Sequence, residues 1–511
     1  MTKMDLPDQH SLWQQNRDIN SYAAHQQDSQ TDVLIIGGGI AGIITAYQLS
    51  KADRKVTLIE AHRLLEGVTG YTTAKVTAQH GMIYSKLMKT FNAETARLYY
   101  DANMEAINFF RETIEELNID CDFEDKDAYI YADSTQSKKL LEKEIDAYKA
   151  INIDGGMAEV EASFPIKAEL AAVMRNQAQF HPVKFLAPLI NEIEKNGGKI
   201  YENTRAMEFI DHKNPAIRTE NGSTISANYA IVTSHFPFND MDGTYFARMD
   251  FSRSYVIGAK APDSVIPDGM YISADQPKRS IRSAVDTNGE RILLLGGDSH
   301  RVGMSKTKTM EHYENLAEFG DKFFDITEIL YRWSSQDMTT LDTVPYIGQM
   351  VTGNEKILVA TGFHKWGMTA GALTGMMLTD QILGRENRYA SVFDPTRSKL
   401  KGSDAASFLK DNATVAKELV SGKLERPEKR LDELENDEGA TVKIDGKRAG
   451  AYKDKNGQIH AVDPTCTHMG CETHWNDAER SWDCPCHGSR FSYTGKVIHG
   501  PATKPLKKWN N

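Results

Sequence analysis

The chain has 511 residues, enough for two or three domains, and 40% apolar against 26% charged residues is the balance of an ordinary globular protein. Its formal charge of −11 argues against nucleic acid or an anionic membrane as the main partner. No apolar run is long enough to span a bilayer, and the first 30 residues lack a basic start followed by an apolar stretch. Neither a transmembrane segment nor a signal peptide is expected, and a cytoplasmic location is inferred.

Residues 1–30 read as a polar extension lying on the surface or partly disordered. The next stretch, 31–60, is TDVLIIGGGIAGIITAYQLSKADRKVTLIE. A β-branched run at 33–36 predicts a buried parallel strand, 43–50 a helix, and 55–59 a second strand ending in Glu60. Between strand and helix stand Gly37, Gly38, Gly39, Ile40, Ala41 and Gly42, a G-x-G-x-x-G turn. Gly37 permits the tight turn, Gly39 lets a pyrophosphate approach the backbone, and Gly42 lets helix and strand pack closely. The helix N-terminus offers free N–H groups to phosphates. Glu60 can accept from a ribose 2′-hydroxyl and would repel a 2′-phosphate. Strand, helix, second strand and terminal acid in order predict a bound adenine dinucleotide.

The Gly- and Thr-rich segment after Glu60 reads as a loop returning to the cofactor. Apolar residues at helical spacing predict long helices over 84–117, and a shorter one over 138–150. Residues 183–196 predict a helix stopped by Gly197-Gly198, followed by a strand over 199–209. An Asn221-Gly222 hairpin turn leads to a buried strand at 229–233. Alternating strands over 245–297 suit an antiparallel sheet. A helix over 309–324, a buried strand over 356–361 and a helix over 369–383 close this part. The charged stretch 399–438 reads as helix plus linker, and short strands from 439 onward predict a small β domain.

That domain holds four of the five cysteines, in Cys466-Thr-His468-Met-Gly-Cys471 and Cys484-Pro-Cys486-His487-Gly-Ser489. Each loop offers one cysteine and one histidine, Cys466 with His468 and Cys484 with His487. Two cysteines on one iron and two histidines on the other make a [2Fe–2S] centre of raised potential. Cys471 and Cys486 are left over and can be bridged to each other. Taken alone, these residues also allow a Cys₂His₂ zinc site or plain disulfides. Zinc explains neither the extra cysteine pair nor the Pro and Gly-Ser residues of the second loop. Cys121 and His181 read as structural.

The tail from 439 to 511 resembles a Rieske domain of the respiratory and photosynthetic cytochrome-complex type. The resemblance implies Cys466, His468, Cys484 and His487 as cluster ligands, a Cys471–Cys486 disulfide, and Ser489 bonded to a cluster sulfide. It departs from the family at Phe491, where a tyrosine is usual. Residues 31–398 resemble the glycine/D-amino-acid oxidase superfamily in DVLIIGGGIAG, Glu60, FHPVKFLAPLINEIEKNGGKIYENTRAMEF and DTVPYIGQ…VATGFHKWGMTAGALTGMMLTDQI. This implies FAD, with Thr72 and Thr73 along the cofactor, Ala206 at its adenine end, and Gly362, Gly367 and Met368 near the isoalloxazine. The fold class implied is an α/β Rossmann-like FAD-binding domain with an antiparallel-sheet substrate subdomain (mainly 85–160 and 235–335), plus a small all-β Rieske domain. Nearly the whole chain resembles a bacterial flavin–Rieske fusion family.

Flavin chemistry needs a substrate fixed over the ring. The candidates are His80, Arg332, Trp333, His364, Lys365 and Trp366, with Arg332 able to clamp a carboxylate. There is one dinucleotide fingerprint, so electrons are expected from a small organic substrate. The expectation is an FAD-dependent dehydrogenase that oxidises an amine, amino acid or hydroxy acid. Its electrons would leave singly through the cluster to an unknown one-electron acceptor. The rivals are an oxidase that reduces O₂ with the cluster structural or sensing, and a redox-regulated binding protein.

Overall fold

The apolar run at 33–36 forms the buried end of a strand, Ser29–Ile36, whose neighbours on both sides run parallel to it. Strands with both faces covered can be apolar throughout, as 33–36 is. In this computed structural model, which describes residues 4–15, 17–240, 243–397 and 428–509, that strand lies at the centre of the first sheet. The order is Tyr346–Gln349, Ile357–Thr361, Thr224–Val232, Ser29–Ile36, Val56–Ile59 and Lys199–Tyr201, with the hairpin strands Ala206–Asp211 and Ala216–Thr219 attached to Thr224–Val232. Helices Ile40–Lys51 and Gly367–Ile382 pack on each other over it. The second is rich in small residues because its Gly375 has Ile44 only 2.5 Å from where a Cβ would stand.

The second sheet is mostly antiparallel: Glu328–Thr340, Met249–Lys260, Arg291–Arg301, Arg279–Val285, Met270–Ser273, Glu124–Ala132, Leu170–Gln179 and Lys75–Val76, in that order. Here burial alternates over the first half of Met249–Lys260, where one face is less covered than the other. Helices Ala93–Leu117 and Glu311–Phe324 match the apolar spacing read above. The C-terminal part is small and all-β. Glu438–Ile444, Lys447–Lys453 and Ile459–Val462 form one antiparallel sheet, and His474–Asn476, Ser481–Asp483, Arg490–Ser492 and Val497–His499 another. Of the expected linker over 399–438, residues 399–427 lie outside the described residues. Among the described residues, no helix is long and apolar enough to cross a membrane.

The N-terminal extension differs from expectation. Trp13 is 2% exposed, and its indole N–H donates to the Thr72 carbonyl at 2.6 Å. His25 is buried too, with Nδ1 bonded to Ser223 Oγ and Nε2 to Ser29 Oγ. A few anchor residues in a polar stretch are enough to fasten it, and composition averages them away.

Candidate active site and cluster centre

A cavity of about 580 Å³ opens at the carboxyl ends of the first sheet's strands and runs under the second sheet. Its inner end is the glycine turn. Gly37 has φ +119°, and a Cβ on Gly42 would stand 1.9 Å from the Gly37 carbonyl oxygen. Gly38, Gly39, Ile40 and Ala41 line the cavity, while Gly42 lies behind the turn as its packing role requires. Glu60 closes the second strand, its carboxylate accepting from the Gly38 and His62 N–H groups at 2.8 Å each. Thr72, Thr73 and Ala206 continue the lining. His235 also reaches it at φ +65°, and its Nε2 is buried without a partner. A helix N-terminus with room before it, a terminal carboxylate and an unsatisfied nitrogen fit an adenine dinucleotide of the FAD kind.

The outer end carries the reactive groups. After Ile357–Thr361 the chain turns at Gly362, whose φ is +73° and whose missing side chain leaves space for Thr340. His364 and Lys365 follow, both also in the left-handed region. Two such residues in a row are strained, and strain of this kind gathers at functional sites. Gly367 and Met368 begin the next helix at the cavity wall, whereas Gly362 itself does not line it. His364 Nδ1 bonds Thr339 Oγ1 at 2.8 Å, and burial with Lys365 and Lys278 nearby takes the imidazole down to about 3. Lys365 Nζ donates to Ser299 Oγ at 2.9 Å. Burial lowers its ammonium to about 8, and burial raises the neighbouring Asp337 carboxyl to about 6. His80 stacks on Trp366 at 4.9 Å with both ring nitrogens bonded, to Tyr99 Oη and to the Thr77 carbonyl. Burial takes it down to about 3, so it is neutral and held in place.

Arg332 corrects the sequence expectation. Its Nε donates to the Pro7 carbonyl, and its guanidinium lies 5.0 Å over the Tyr313 ring, outside the cavity. The reason is strand parity. In Glu328–Thr340, Ser335 and Asp337 line the cavity, so the even-numbered residues point the other way. Trp333 is also outside, packed edge-on to Trp13. The cation the sequence reading missed is Lys278. It lines the cavity, burial lowers its ammonium, and no carboxylate among the described residues pairs with it. Following parity back from Ser280, another lining residue, would have found it.

The cluster centre lies in two loops that join the C-terminal strands. In the first, Cys466 N–H donates to the Cys471 carbonyl at 2.7 Å; in the second, Cys484 N–H donates to the Ser489 carbonyl at 2.8 Å. These turns bring His468 and His487 together, ring centres 5.1 Å apart and planes at 89°. Both Nδ1 atoms are buried without a partner. Cys466 and Cys484 carry free thiols joined by a hydrogen bond, which holds Cys466 down to about 7 and drives Cys484 well up. Cys471 and Cys486 form a disulfide between the loops. Cys484 Sγ lies close to both of those sulfurs, but the disulfide leaves neither free to bind metal. Two thiols and two unsatisfied imidazole nitrogens therefore converge, a donor set that fits a Rieske [2Fe–2S] cluster. Ser489 Oγ accepts from Ala502 N–H at 3.0 Å and bonds the Cys466 sulfur. Phe491 is fully buried in the apolar core of this domain.

The two centres share a wall. Residues 498–503 of the C-terminal domain line the flavin-domain cavity, where the His499 ring lies 6.1 Å from that of His235. On the other side of this segment, Ala502 holds Ser489. The histidine edge of the centre is covered as well. His487 packs edge-on to Phe246 at 5.2 Å, and His468 Nε2 lies 4.0 Å from Asp240, a carboxylate that burial raises to about 7. Buried charges fasten the domains. Arg253 reaches Asp483 at 3.9 Å and Glu479 at 4.0 Å, and Arg490 reaches the same two acids at 3.0 and 3.7 Å. Ser334 donates to Glu479, and Gln336 to the Gly488 carbonyl at 2.7 Å. Ser334 and Gln336, on the side of Glu328–Thr340 that faces away from the cavity, thus serve the interface.

Residues 32–381 match the family of FAD-dependent oxidoreductases designated DAO, and residues 427–510 the Rieske [2Fe-2S] domain family. The Rieske 2Fe-2S iron-sulfur protein YhfW of Bacillus subtilis (strain 168) is 44% identical over 498 residues, 98% of this chain and 97% of that one. Gamma-glutamylputrescine oxidoreductase of Escherichia coli (strain K12) is 23% identical over 383 residues, 70% of this chain and 85% of that one. Glycine oxidase from Geobacillus kaustophilus has a similar fold, with a TM-score of 0.61 at 19% identity, covering 72% of this chain and 99% of that one.

Proposed function

Since the chain belongs to the DAO family of FAD-dependent oxidoreductases and ends in a Rieske domain, we propose that it oxidises a small organic substrate and hands the electrons singly through the Rieske centre to a separate acceptor. FAD accepts two electrons together and a Rieske cluster carries one at a time. The observation that carries this reading is the shared wall: 498–503 borders the cavity on one side and holds Ser489, beside Cys466, on the other.

The substrate end supports a carboxylate-bearing amine or amino acid. Lys278 and Lys365 bring two ammonium groups to one cavity, and only Lys365 has a carboxylate, Asp337, near it. An anionic group would complete the pair and fix the substrate by charge-assisted hydrogen bonds. Trp366 and His80 make a flat, neutral wall beside them. The names gamma-glutamylputrescine oxidoreductase and glycine oxidase, borne by two relatives, agree with a nitrogen-bearing substrate. Cytoplasmic residence belongs to this reading too.

The test is anaerobic mixing of the pure protein with amines, amino acids and hydroxy acids. An active substrate should bleach the flavin and then raise the paramagnetic signal of a reduced cluster. Full flavin reduction beside a cluster that stays oxidised, at a potential known to be accessible, would refute the relay.

A further inference from the structure

The C-terminal 28 residues reverse the charge of the molecule. From 484 to 511 there is no Asp or Glu, but there are Arg490, Lys496, Lys504, Lys507 and Lys508, in a chain of net charge −11. Arg490 is buried in the domain interface, while the four lysines are exposed. None of them pairs with a carboxylate among the described residues. The chain straps three of these lysines to the first cluster loop. Thr467 Oγ1 donates to the Lys504 carbonyl at 2.6 Å, Asp463 N–H donates to the Lys507 carbonyl at 2.8 Å, and Lys508 bridges Val462. Leu506 N–H donates to the Gly495 carbonyl, which brings Lys496 alongside. In that loop Thr465, Thr467 and Met469 face solvent, and Met469, at 42%, is one of the few large apolar side chains left exposed. Asp463 is the one carboxylate in residues 462–471, and it is engaged with the Thr465 N–H.

Among the described residues the other ways to the centre are closed. Phe246 and Asp240 cover the histidine edge, and 498–503 faces the cavity. The first cluster loop is the open side. We propose that Met469 and the lysines of 504–508 form the docking surface for an acidic one-electron carrier protein. An apolar contact beside unpaired cations suits a brief, electrostatically steered encounter. One electron leaves per encounter: one ferrous iron becomes ferric, the carrier's metal is reduced by one, and no bond or proton changes hands. The proposal rests on the relay reading above, as the exit from it.

The test uses the full chain with both cofactors, reduced by dithionite and freed of its excess, so that the cluster is loaded without any substrate turnover. Stopped-flow mixing with an oxidised acidic blue-copper protein should give a second-order rate that falls about tenfold or more as ionic strength rises from about 0.01 to 0.5 M. K504E/K507E/K508E should lose about tenfold at low salt with an unchanged cluster spectrum, and should gain rate with a basic cytochrome c. Binding of the copper protein, followed by calorimetry, should weaken in the same variant. If charge reversal costs the cluster, K504Q/K507Q/K508Q takes its place, with a smaller loss expected. Rates and binding that ignore both salt and charge reversal, or wild-type preference for the basic cytochrome, would overturn the proposal. A charge-dependent exit in dithionite-reduced protein, beside a cluster that no substrate reduces, would sink the relay and leave the docking surface standing.

Discussion

The glycine cradle would hold its ligand with backbone N–H groups and with space, whereas the cysteine–histidine centre offers an iron cluster four side-chain atoms. At Gly42 a single added carbon would meet the Gly37 carbonyl at 1.9 Å. At the other centre the two histidine Nδ1 atoms are left without partners, and each missing donor would be felt. One site is spoiled by adding an atom and the other by taking one away. Substitutions of opposite kind should therefore separate the two cofactors within one chain.

The largest effect is expected from removal. Cys484→Ser should take iron and acid-labile sulfide from about two of each per chain to near zero, with FAD retained; iron analysis beside the flavin spectrum reads both. Addition should do the reverse. Gly42→Val should leave little or no FAD while the Rieske visible spectrum persists, which also shows that the variant folds. If Gly42→Val loses both cofactors together, the two sites are not independent in the way the contrast requires.

The buried interface tests how far the two regions are separable at all. Arg253→Met leaves Glu479 and Asp483 to share Arg490, and unpairing a buried charge costs about 3–5 kcal/mol. Thermal unfolding followed at the cluster absorbance should then begin at a lower temperature than unfolding followed by flavin release. In the cavity, Lys365 is a cation below about 8 and neutral above it. The KM of an anionic substrate should therefore be low and steady below that value and rise as pH passes through it. Lys365→Met should raise KM roughly 10- to 100-fold at neutral pH and flatten this profile. The smallest effect is at Phe491. Reduction adds negative charge that a hydrogen bond to a ligand sulfur stabilises, so Phe491→Tyr should raise the midpoint potential by roughly 20–60 mV in a redox titration. Ser489→Ala, which removes the hydroxyl bonded to the Cys466 sulfur, should lower it by a similar amount.

The same contrast explains what could be read from the sequence. The glycine turn, Glu60 and both cysteine–histidine loops are each contiguous, so spacing alone brings their atoms together. The helices at Ala93–Leu117 and Glu311–Phe324 follow from periodicity in the same way. Arg332 was misread because its direction depends on strand parity, which no motif marks. His235 and Asp240 carry no local signal, and each matters only because a distant segment folds against it; Lys278 could be reached only by strand parity from Ser280. The fastening of Arg253 to Glu479 and Asp483 spans more than 220 positions of chain, beyond the reach of any local pattern.

Residues 498–503 belong to one domain by sequence and to the other's cavity by position. The flavin domain without its Rieske partner would thus be a vessel lacking part of its side, with solvent standing where residues 498–503 now line the cavity. A substitution in 498–503 therefore reshapes the cavity's outline from outside the flavin domain.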